Sequence, residues 1–510
     1  MKSNFSNSTS TSTSSSSSSS SYYDTIVIGA GLSGVAAGYR IQTRLPNQSY
    51  IILEGRDTVG GTWDLFRYPG IRSDSDMFTL GYSFSPWLDI NSLAPGSLIL
   101  SYIKSTVKKY DIAKHIQLNT KVIKMSWDSS INLWTLDCLE LDIPKTYTCK
   151  FIFGCTGYYN YDHGYEPKFP GSENFKGLIV HPQKWPKDLD YTNKKIIVIG
   201  SGATAVTLVP ELAKTASHVT MLQRSPTFVA STPSKDTFAA FLMTILPATW
   251  SHWINRWLHI IRGTLIFHFC RRFPNLVRRL VLKDANKFLE GKCDVNKHFN
   301  PSYNPWDERF CLVPDGDIFR SIASGKASVK TSTINTFTEN GIDIQNKDDN
   351  SREIIDADII VTATGLSVQV LGGIEVSIDG VSLTNTMKNR FSYKGIMVSG
   401  VPNFALSVGY TNMTFTLKAD LISIYVTRLL LHMEKKGYQK CVPVYGTRYD
   451  EKDDYEGEDL IPLTSGYIRR SVHLFPRQGK RSPWRYYNNY FHDMLEFYFG
   501  WLEDGVMKFS

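Results

Sequence analysis

Two short glycine-rich segments, each between a predicted β-strand and a predicted α-helix, constrain this sequence more than any other feature. The first spans residues 29–34 (Gly-Ala-Gly-Leu-Ser-Gly), and the second spans residues 200–205 (Gly-Ser-Gly-Ala-Thr-Ala). Glycines at this spacing let the chain turn tightly and bring the backbone close to a diphosphate at the N-terminus of the next helix. One such motif is weak evidence, but two predict an α/β fold with two Rossmann-like dinucleotide-binding domains.

A carboxylate after the first motif indicates which nucleotide the first domain binds. The apolar pattern predicts a strand at residues 25–28, a helix over Leu32–Arg44 and a strand over Tyr50–Leu53, which is followed by Glu54. Glu54 stands 20 positions after Gly34, where a carboxylate can accept hydrogen bonds from ribose hydroxyls. Its negative charge would repel a 2′-phosphate. We therefore expect FAD, and not NADPH, in the first domain.

The second motif leads to an arginine at the corresponding place. After a helix to about residue 216, the predicted strand His218–Gln223 is followed by Arg224 and Ser225. A guanidinium can pair with a 2′-phosphate through two parallel hydrogen bonds. The second domain is therefore predicted to prefer NADPH to NADH, with a solvated surface arginine as the alternative.

Two further apolar runs, each closed by a glycine turn, predict where the chain passes between the domains. They are residues 151–156 before Gly157 and residues 358–364 before Gly365. Such crossings make the FAD domain discontinuous, with the NADPH domain inserted in it. The predicted divisions are a disordered Ser/Thr-rich tail at 1–21, the FAD domain at 22–165 and 360–510, and the NADPH domain at 166–359 with a helical insertion at about 237–300.

Residues 237–283 differ in composition from the rest of the chain. Trp250, Trp253 and Trp257 alternate with basic residues, and the segment contains no Asp or Glu. Its longest apolar run is about ten residues, which is too short to span a bilayer. Two readings stay open, a helical subdomain that covers the active site and a basic amphipathic surface that lies on a membrane. Residues 486–501 have the same two readings.

The overall composition excludes several classes of protein. The seven cysteines are scattered without a Cys-x-x-Cys motif, which argues against a disulfide reductase and favours a reduced, cytoplasmic setting. The eleven histidines show no metal-ligand spacing, so no metal is expected. The net charge of +8 is spread along the chain, so nucleic acid is not an expected partner. The first 21 residues lack the apolar region of a secretory signal.

Two longer motifs carry a resemblance to a known family. The first, at residues 60–74, is Gly-Gly-x-Trp, followed after four residues by aromatic-Pro-Gly and after three more by Asp. The second, at residues 175–186, is Phe-x-Gly-x-x-x-His-x-x-x-Trp-Pro. On these motifs the chain resembles the flavin-containing monooxygenases of the Baeyer-Villiger type. Segments at 67–76, 303–307 and 409–412 look like the bacterial branch that oxidises thioamide prodrugs as well as ketones. The resemblance runs from about residue 24 to residue 483.

The resemblance implies roles for individual residues. For FAD, it implies contacts from Gly29, Gly31, Ser33, Gly34, Glu54, Gly61, Thr62, Trp63, Asp64, Leu65, Asp74 and Val122. For NADPH, it implies contacts with the nicotinamide half from Arg72, Ser73 and Asp74, and with the phosphates from Gly200, Ser201, Gly202, Ala203, Thr204, Ala205, Val206, Arg224 and Ser225. His181 would coordinate domain movement, with a merely packed linker histidine as the alternative.

The resemblance also places the family's active-site arginine at Arg309, with Asp74 as the group that orients it. It implies that reduced flavin adds oxygen to form a C4a-peroxyflavin, which attacks a ketone and leaves an oxyanion. A guanidinium that stays protonated can stabilise that charge. A structural ion pair of Arg309 with Asp307 or Glu308 is the alternative. Many relatives carry a lysine where this chain has Glu308, so the 2′-phosphate is expected to depend more on Arg224.

The predicted function is that of an FAD- and NADPH-dependent monooxygenase of the EC 1.14.13 type. Its expected substrates are O2 and a small ketone, thioether or thioamide. An N- or S-oxygenase of the same superfamily is the first alternative, and an NADPH oxidase or redox sensor that releases peroxide is the second. The expected location is the cytoplasm, with peripheral membrane contact through residues 237–283 as the open alternative.

Overall fold

The first part of the chain contains the predicted strand-helix-strand unit. In a computed structural model that describes residues 20–308, 310–383, 386–446, 457–461 and 466–510, its strands are β1 (Ser21–Ile28), β2 (Tyr50–Leu53), β3 (Ile116–Gln117), β4 (Thr120–Asp128), β5 (Leu133–Glu140) and β6 (Ile143–Gly154). Its helices are α1 (Leu32–Arg44), α2 (Thr62–Leu65), α3 (Met77–Leu80) and α4 (Gly96–Lys109). Strand β1 begins before the predicted residue 25, because residues 21–23 pair with residues 147–149 of β6. Residues 1–19 of the predicted tail lie outside the described residues.

The second part of the chain repeats this plan and adds helices. Its strands are β7 (Leu178–Val180), β8 (Lys195–Ile199), β9 (His218–Gln223), β10 (Phe228–Thr232), β11 (Phe310–Pro314), β12 (Ala327–Thr338), β13 (Gly341–Asn346), β14 (Arg352–Asp356) and β15 (Ile359–Thr362). Its helices are α5 (Ala203–Leu212), α6 (Thr237–Ile245), α7 (Ala248–Arg272), α8 (Pro274–Leu289), α9 (Val295–His298) and α10 (Asp317–Ala323). The segment predicted as a helical insertion thus contains α6 to α9.

The third part of the chain returns to the first domain. Its strands are β16 (Glu375–Ile378), β17 (Val381–Ser382), β18 (Ser392–Tyr393), β19 (Met397–Val398), β20 (Phe404–Leu406), β21 (Cys441–Pro443), β22 (Glu458–Asp459), β23 (Arg477–Gln478) and β24 (Met507–Phe509). Its helices are α11 (Phe415–Lys436), α12 (Gly466–Arg469) and α13 (Tyr490–Phe499). An ion pair of 2.7 Å between Arg40 and Asp420 joins α1 to α11.

The first sheet combines strands from the first and third parts of the chain. Its order is β17-β16-β4-β5-β6-β1-β2-β3, and β20 also pairs with β6. Strands β6, β1 and β2 run parallel to one another. The side chains of β1 are buried on both faces: Val27 packs in the cluster that contains residues of α1 and α11, and Ile26 and Ile28 pack in the cluster that contains residues of β4 and β5. The predicted discontinuous first domain therefore has a continuous sheet.

The second sheet follows the order β14-β13-β12-β9-β8-β15-β7. Strand β15 lies between β8 and β7 and is parallel to both. The predicted division at residue 360 therefore falls inside a strand of the second sheet, and the chain returns to the first domain only after Thr362. The reason is that the glycine turn that ends the run, at Gly365, follows β15 and does not precede it. The two sheets bear out the predicted α/β class with two Rossmann-like domains.

Helix α7 of the insertion has its polar side turned inward. Its buried residues include Ser251, His252, Asn255 and Arg256, and the Arg256 guanidinium donates to the carbonyl oxygens of Phe78 at 3.0 Å and Gly81 at 2.7 Å. Its outward side carries exposed apolar residues, among them Trp250, Trp253, Ile254, Leu258, Ile261, Leu265, Ile266 and Phe269. Within the described ranges, no helix is long and apolar enough to cross a membrane.

Candidate active site

The first glycine motif forms a cradle at the N-terminus of α1. Gly29 has a φ of +102°, and a Cβ there would lie 2.6 Å from the carbonyl oxygen of Cys155. A Cβ at Gly34 would overlap the carbonyl oxygen of Gly29. Gly31 precedes α1, and no side chain caps the helix. The first backbone N–H groups of α1, from Leu32 and Ser33 onward, are therefore left for a ligand such as a diphosphate.

Glu54 lies beside this cradle. Its side chain is buried and accepts hydrogen bonds from the backbone N–H of Ala30 at 2.7 Å and of Arg56 at 3.0 Å. Burial raises the pKa of Glu54 above its ordinary value, although both hydrogen bonds act in the opposite direction. Val122 is buried in the cluster that also contains Leu53, the residue before Glu54. The acid thus adjoins one end of the cradle, and the valine packs in the cluster beneath the strand that carries it.

The loop after β2 closes over the same cradle. Gly61 has a φ of +54°, and a Cβ there would lie 3.1 Å from the Cα of Gly31. Thr62, in α2, accepts a hydrogen bond of 2.6 Å from the Tyr159 hydroxyl. Trp63 and Leu65 are partly exposed. The loop therefore approaches the glycine motif closely beside the N-terminus of α1.

Asp64 has a structural role within this loop. Its buried carboxylate pairs with Arg56, and with Arg67 at 3.3 Å. Two cations therefore already neutralise the carboxylate of Asp64, a residue to which the resemblance assigned a contact with FAD.

The second glycine motif forms a comparable cradle at α5. Gly200 has a φ of +138°, and a Cβ there would overlap the carbonyl oxygen of Ala363. A Cβ at Gly202 would meet no heavy atom within 4 Å, so the space in front of α5 is open. Gly202 precedes α5 without a side-chain cap, and residues 203–206 form its first turn. Two dinucleotide cradles therefore fit the two predicted nucleotides.

A second cation accompanies Arg224 at the end of β9. Arg224 and Ser225 are exposed, and the Ser225 carbonyl accepts a hydrogen bond of 3.0 Å from the Ser201 hydroxyl. Lys347 donates to the carbonyl oxygen of Arg224 at 2.7 Å. Lys347 lies 123 positions along the chain from Arg224, in the turn after β13, so no local sequence signal relates the two.

The loop that carries Arg72 and Ser73 joins the two domains. Arg72 pairs with Asp317 of α10 at 2.6 Å, while its other terminal nitrogen is buried without a hydrogen-bond partner. A Cβ at Gly70 would lie 2.9 Å from the Cβ of Glu211 in α5. The Ser73 hydroxyl is bound within the loop, to the backbone of Ser75. The unsatisfied guanidinium nitrogen of Arg72 is the feature that fits a ligand between the domains.

His181 lies where the two crossing segments meet. Its Nδ1 accepts a hydrogen bond of 3.2 Å from the backbone N–H of Gln183, and its Nε2 is buried without a partner. A Cβ at Gly164, in the first crossing segment, would overlap the imidazole ring. Burial lowers the pKa of His181, although Glu166 and the backbone of Gly365 act in the opposite direction. The imidazole is therefore packed between the two segments.

A cavity of about 1100 Å³ lies between the two domains and the helical insertion. Asp74 lines it, as do Gly157 and Tyr158 of the first crossing segment. Arg309 lies outside the described residues, but its two chain neighbours, Glu308 and Phe310, both line this cavity. The two regions that the resemblance assigned to catalysis thus meet at one cavity.

Several other cavity residues were not among the predicted site residues. His259 of α7 lies 3.4 Å from Asp76 and 3.2 Å from Asp236. Burial alone would lower the pKa of His259, but the hydrogen bond and charge of Asp76, with the charge of Asp236, raise it. Three separate segments contribute these groups, so only the fold brings them together. Residues 409–412, noted in the sequence only as similar to one branch, also line the cavity.

Comparisons with known proteins agree with this architecture. A family model for flavin-binding monooxygenase-like proteins matches residues 82–397, and one for an NAD(P)-binding Rossmann-like domain matches residues 27–88. The chain is 48% identical to the FAD-containing monooxygenase EthA of Mycobacterium tuberculosis, over 96% of this chain and 98% of that protein. It is 45% identical to the probable FAD-binding monooxygenase AlmA of Acinetobacter baylyi, over 96% of each chain.

The fold also has solved counterparts. An oxidized steroid monooxygenase bound to NADP superimposes with a TM-score of 0.75 at 21% identity, over 96% of this chain and 99% of that one. A closed structure of cyclohexanone monooxygenase gives a TM-score of 0.68 at 19% identity, over 86% and 89%. At this identity the likeness shows the fold alone.

The chain belongs to the flavin-binding monooxygenase family. Its match to the family model covers more than half of the chain, and its identity to EthA extends over almost all of it. The predictions of a flavoprotein, of a monooxygenase and of a small-molecule substrate with O2 are therefore confirmed. The roles of single residues remain proposals.

Proposed function

We propose that the protein uses FAD and NADPH to insert one oxygen atom of O2 next to the carbonyl of a ketone, or to add it to the sulfur of a thioether or thioamide. The second oxygen atom leaves as water, and NADPH supplies the two electrons. The observation that carries the proposal is the cavity that Asp74 lines, in a chain that also forms two dinucleotide cradles at uncapped helix N-termini. Activation of oxygen is the chemistry that bound FAD supplies.

The charges beside the two cradles support the assignment of the nucleotides. Glu54 at the first cradle favours ribose hydroxyls and disfavours a 2′-phosphate, whereas Arg224 and Lys347 at the second favour it. FAD thus belongs in the first domain and NADPH in the second. The glycines hold the backbone N–H groups of α1 and α5 toward the diphosphates.

Arg309 is the proposed electrophilic group of the ketone reaction. The carbonyl oxygen of a ketone becomes negative as the oxygen atom adds to its carbon. A guanidinium stays protonated throughout, so it can stabilise that charge without giving up a proton. We assign Asp74 the role of orienting it, because Asp74 and both chain neighbours of Arg309 line one cavity.

The test is product analysis with purified FAD-loaded protein, NADPH and O2. We expect an ester from a simple ketone, and we expect Arg309→Ala to lose about a hundredfold or more of this rate, as when an oxyanion donor is removed. Arg309→Lys should recover part of the rate, and the bound flavin should be unchanged. A wild-type rate of ketone oxidation in Arg309→Ala would overturn the assignment.

Two alternatives are outcomes of the same experiment. Oxygenation of a thioether without ester formation from any ketone would identify a sulfur oxygenase. Release of peroxide with every substrate, together with a stable protein partner, would identify an NADPH oxidase or redox sensor.

We also propose that the insertion docks on an anionic membrane surface. Helices α6 to α8 expose large apolar residues, and the exposed cations Arg262, Arg272, Arg279 and Lys283 accompany them, while Arg271 already pairs with Asp307. Residues 237–283 contain no acidic residue, so an anionic headgroup layer complements this surface better than a second copy of the chain. The protein should float with vesicles that contain phosphatidylglycerol and less with neutral ones. If the protein floated with neither kind of vesicle, the proposed docking would be refuted.

A further inference from the structure

His259 of α7 lies between two carboxylates that come from distant parts of the chain. Its Nδ1 is 3.4 Å from a carboxylate oxygen of Asp76, and its Nε2 is 3.2 Å from a carboxylate oxygen of Asp236. The imidazole is only 6% exposed, and it packs on the ring of Phe78 with 4.8 Å between the ring centroids. The ring is therefore held between the loop that precedes α3 and the segment that precedes α6.

Both carboxylates also cap helices, and the caps fix their positions. Asp76 accepts a hydrogen bond of 2.9 Å from the backbone N–H of Thr79 at the start of α3. Asp236 accepts a hydrogen bond of 2.8 Å from the backbone N–H of Ala239 at the start of α6. A capping carboxylate that turned away would leave a helix N–H without its partner. His259 therefore faces two negative charges that are held in place by the helix ends.

A ring between two carboxylates favours the protonated imidazole. Neutral imidazole has one N–H donor and one lone pair, so it would turn the lone pair toward one of the carboxylates, whereas the protonated ring donates from both nitrogens. Burial acts to lower the pKa of His259, but the hydrogen bond and charge of Asp76 and the charge of Asp236 outweigh it and raise the pKa. Asp236 acts through its charge, because its contact with Nε2 lacks hydrogen-bond geometry.

The other nearby cations do not outweigh these two acids. Arg262, one turn further along α7, is 4.0 Å from Asp236 and acts to lower the pKa of His259. Arg256, one turn earlier, binds the backbone carbonyl oxygens of residues 78 and 81. Within the described part of the chain, the remaining charged side chains that line the same cavity are Asp74, Lys235, Arg271 and Glu308.

Backbone hydrogen bonds join the same segments of the two domains. Residues 73 and 77 donate to the carbonyl oxygens of residues 94 and 92, at 3.0 and 2.8 Å. Residues 92 and 236 donate to the carbonyl oxygens of residues 234 and 90, at 3.0 and 3.3 Å. Residues 90–94 thus connect the loop before α3 with the segment that enters the insertion. His259 adds a direct side-chain link between that loop and that segment.

The loop before α3 carries proposed site residues. Arg72, Ser73 and Asp74 precede Asp76 by two to four positions, and Asp74 lines the same cavity as His259. A shift of Asp76 is transmitted to Asp74 through a single intervening residue. Since small displacements of positioned groups cost a reaction much of its rate, the link through His259 bears on catalysis.

We propose that His259 is a positioning residue of the oxygenation reaction, and that its protonated imidazole holds Asp76 against Asp236 and so keeps Asp74 in place at the cavity. This inference rests on the proposed function and on the role of Asp74 in it. Loss of the proton leaves one N–H for two carboxylates, so one of them is released. Because the pKa of His259 is raised in the folded protein, the link is complete at low pH and is lost as the pH rises through that pKa.

The experiment measures kcat against pH for the FAD-loaded protein with NADPH, O2 and either octan-2-one or methyl phenyl sulfide. The test variant is His259→Gln, which has no titrating group. The matched control is His268→Gln, which changes an exposed histidine of the same helix that does not line the cavity. The wild type and the control should show the same fall of kcat as the pH rises.

The test variant should have a kcat about tenfold lower at the optimal pH of the wild type, and it should lack that fall. Its bound flavin should stay at the wild-type level, because the first cradle is unchanged. Its KM for NADPH should change less than its kcat, since the second cradle and Arg224 are also unchanged.

A charge variant tests the link without removing the imidazole. Asp236→Asn keeps a good cap for α6 but removes the charge, so the fall of kcat should move to lower pH. A readout that does not depend on activity is the NMR titration of protein labelled with 13C-histidine. The signal of His259 is the one absent from His259→Gln, and its midpoint should match that of the fall in kcat and move with it in Asp236→Asn.

Each outcome decides a separate point. If the wild type oxidises neither octan-2-one nor methyl phenyl sulfide, the proposed function fails. If the wild type is active and His259→Gln keeps the same fall of kcat with pH, another group controls the rate and the positioning role is overturned. A His259→Gln protein with a lower midpoint of thermal unfolding but the wild-type kcat at every pH would show a structural contact only, which also overturns it.

Discussion

Arg224 shows how much can be predicted from one residue when its position after a strand is known. Its position after β9 could be predicted from the glycine motif, because the length of a strand-helix-strand unit is nearly constant. Lys347 could not be predicted, since it reaches Arg224 from a different hairpin of the same sheet. The proposed preference for a 2′-phosphate therefore depends on one residue visible in the sequence and on one that only the sheet brings near.

We expect Arg224→Ala to raise the KM for NADPH about tenfold or more and to leave the KM for NADH nearly unchanged. Hydrogen bonds to charged groups contribute about 1.5–3 kcal/mol each, and NADH has no 2′-phosphate to lose them. Lys347→Ala should act in the same direction with a smaller effect. Steady-state kinetics with NADPH and with NADH measure these KM values.

The matched control for this pair is Lys330→Ala, which removes a partly exposed lysine of the same sheet that pairs with Glu353 at 2.8 Å. It should leave both KM values unchanged. Equal increases of the KM for NADPH and of the KM for NADH in Arg224→Ala would show that the residue binds something other than the 2′-phosphate.

At the scale of elements, a buried ion pair joins α11 to α13. Lys418 is fully buried and pairs with Asp493, which also accepts a hydrogen bond of 2.8 Å from the Tyr410 hydroxyl. Burial lowers the pKa of Lys418; for Asp493, burial acts to raise the pKa, but Lys418 outweighs it and the pKa is lowered. The aromatic stretch at 486–501 is thus in part a structural helix, whose other side exposes Phe499.

Lys418→Met should destabilise the protein by about 3–5 kcal/mol, because it leaves the Asp493 carboxylate buried without its cation. The midpoint of thermal unfolding of the FAD-loaded protein measures the change. The double variant Lys418→Met with Asp493→Leu should recover most of the loss, since no charge then stays buried. If the double variant were as unstable as the single one, packing and not charge would account for the effect.

At the scale of the whole molecule, two crossing segments connect the domains and lie side by side. Asn160 and Tyr165 of the first segment donate backbone hydrogen bonds to Ser367 at 2.7 Å and to Gly365 at 3.0 Å in the second. His181 packs against Gly164 at the same place. A change in the relative position of the domains must therefore act on this contact.

Gly164→Ala should lower kcat about ten- to hundredfold, since its Cβ would displace His181 and shift the domains from their productive arrangement. Bound flavin should remain at the wild-type level, because the change lies outside the first cradle. The control is His163→Ala, which removes an exposed side chain from the same segment. Loss of flavin from Gly164→Ala would show a general folding defect and contradict the assigned role.

The amino-acid sequence alone determined the local parts of this protein. The bounds of α1, β2 and β9, the two glycine cradles and the charges at Glu54 and Arg224 follow from residues close together in the chain. Their conformations depend on short-range geometry, which a motif encodes directly. The family resemblance carried by residues 60–74 and 175–186 was likewise visible before any fold.

Only the tertiary structure determined which distant segments of the chain come into contact. It showed that β15 belongs to the second sheet, that Lys347 reaches Arg224, and that His259 meets Asp76 and Asp236. It also showed that α7 buries Arg256 and exposes Trp250 and Trp253, which reverses the usual arrangement, in which the apolar side of a helix faces the core. These features depend on contacts between distant segments, and such contacts exist only once the chain has folded.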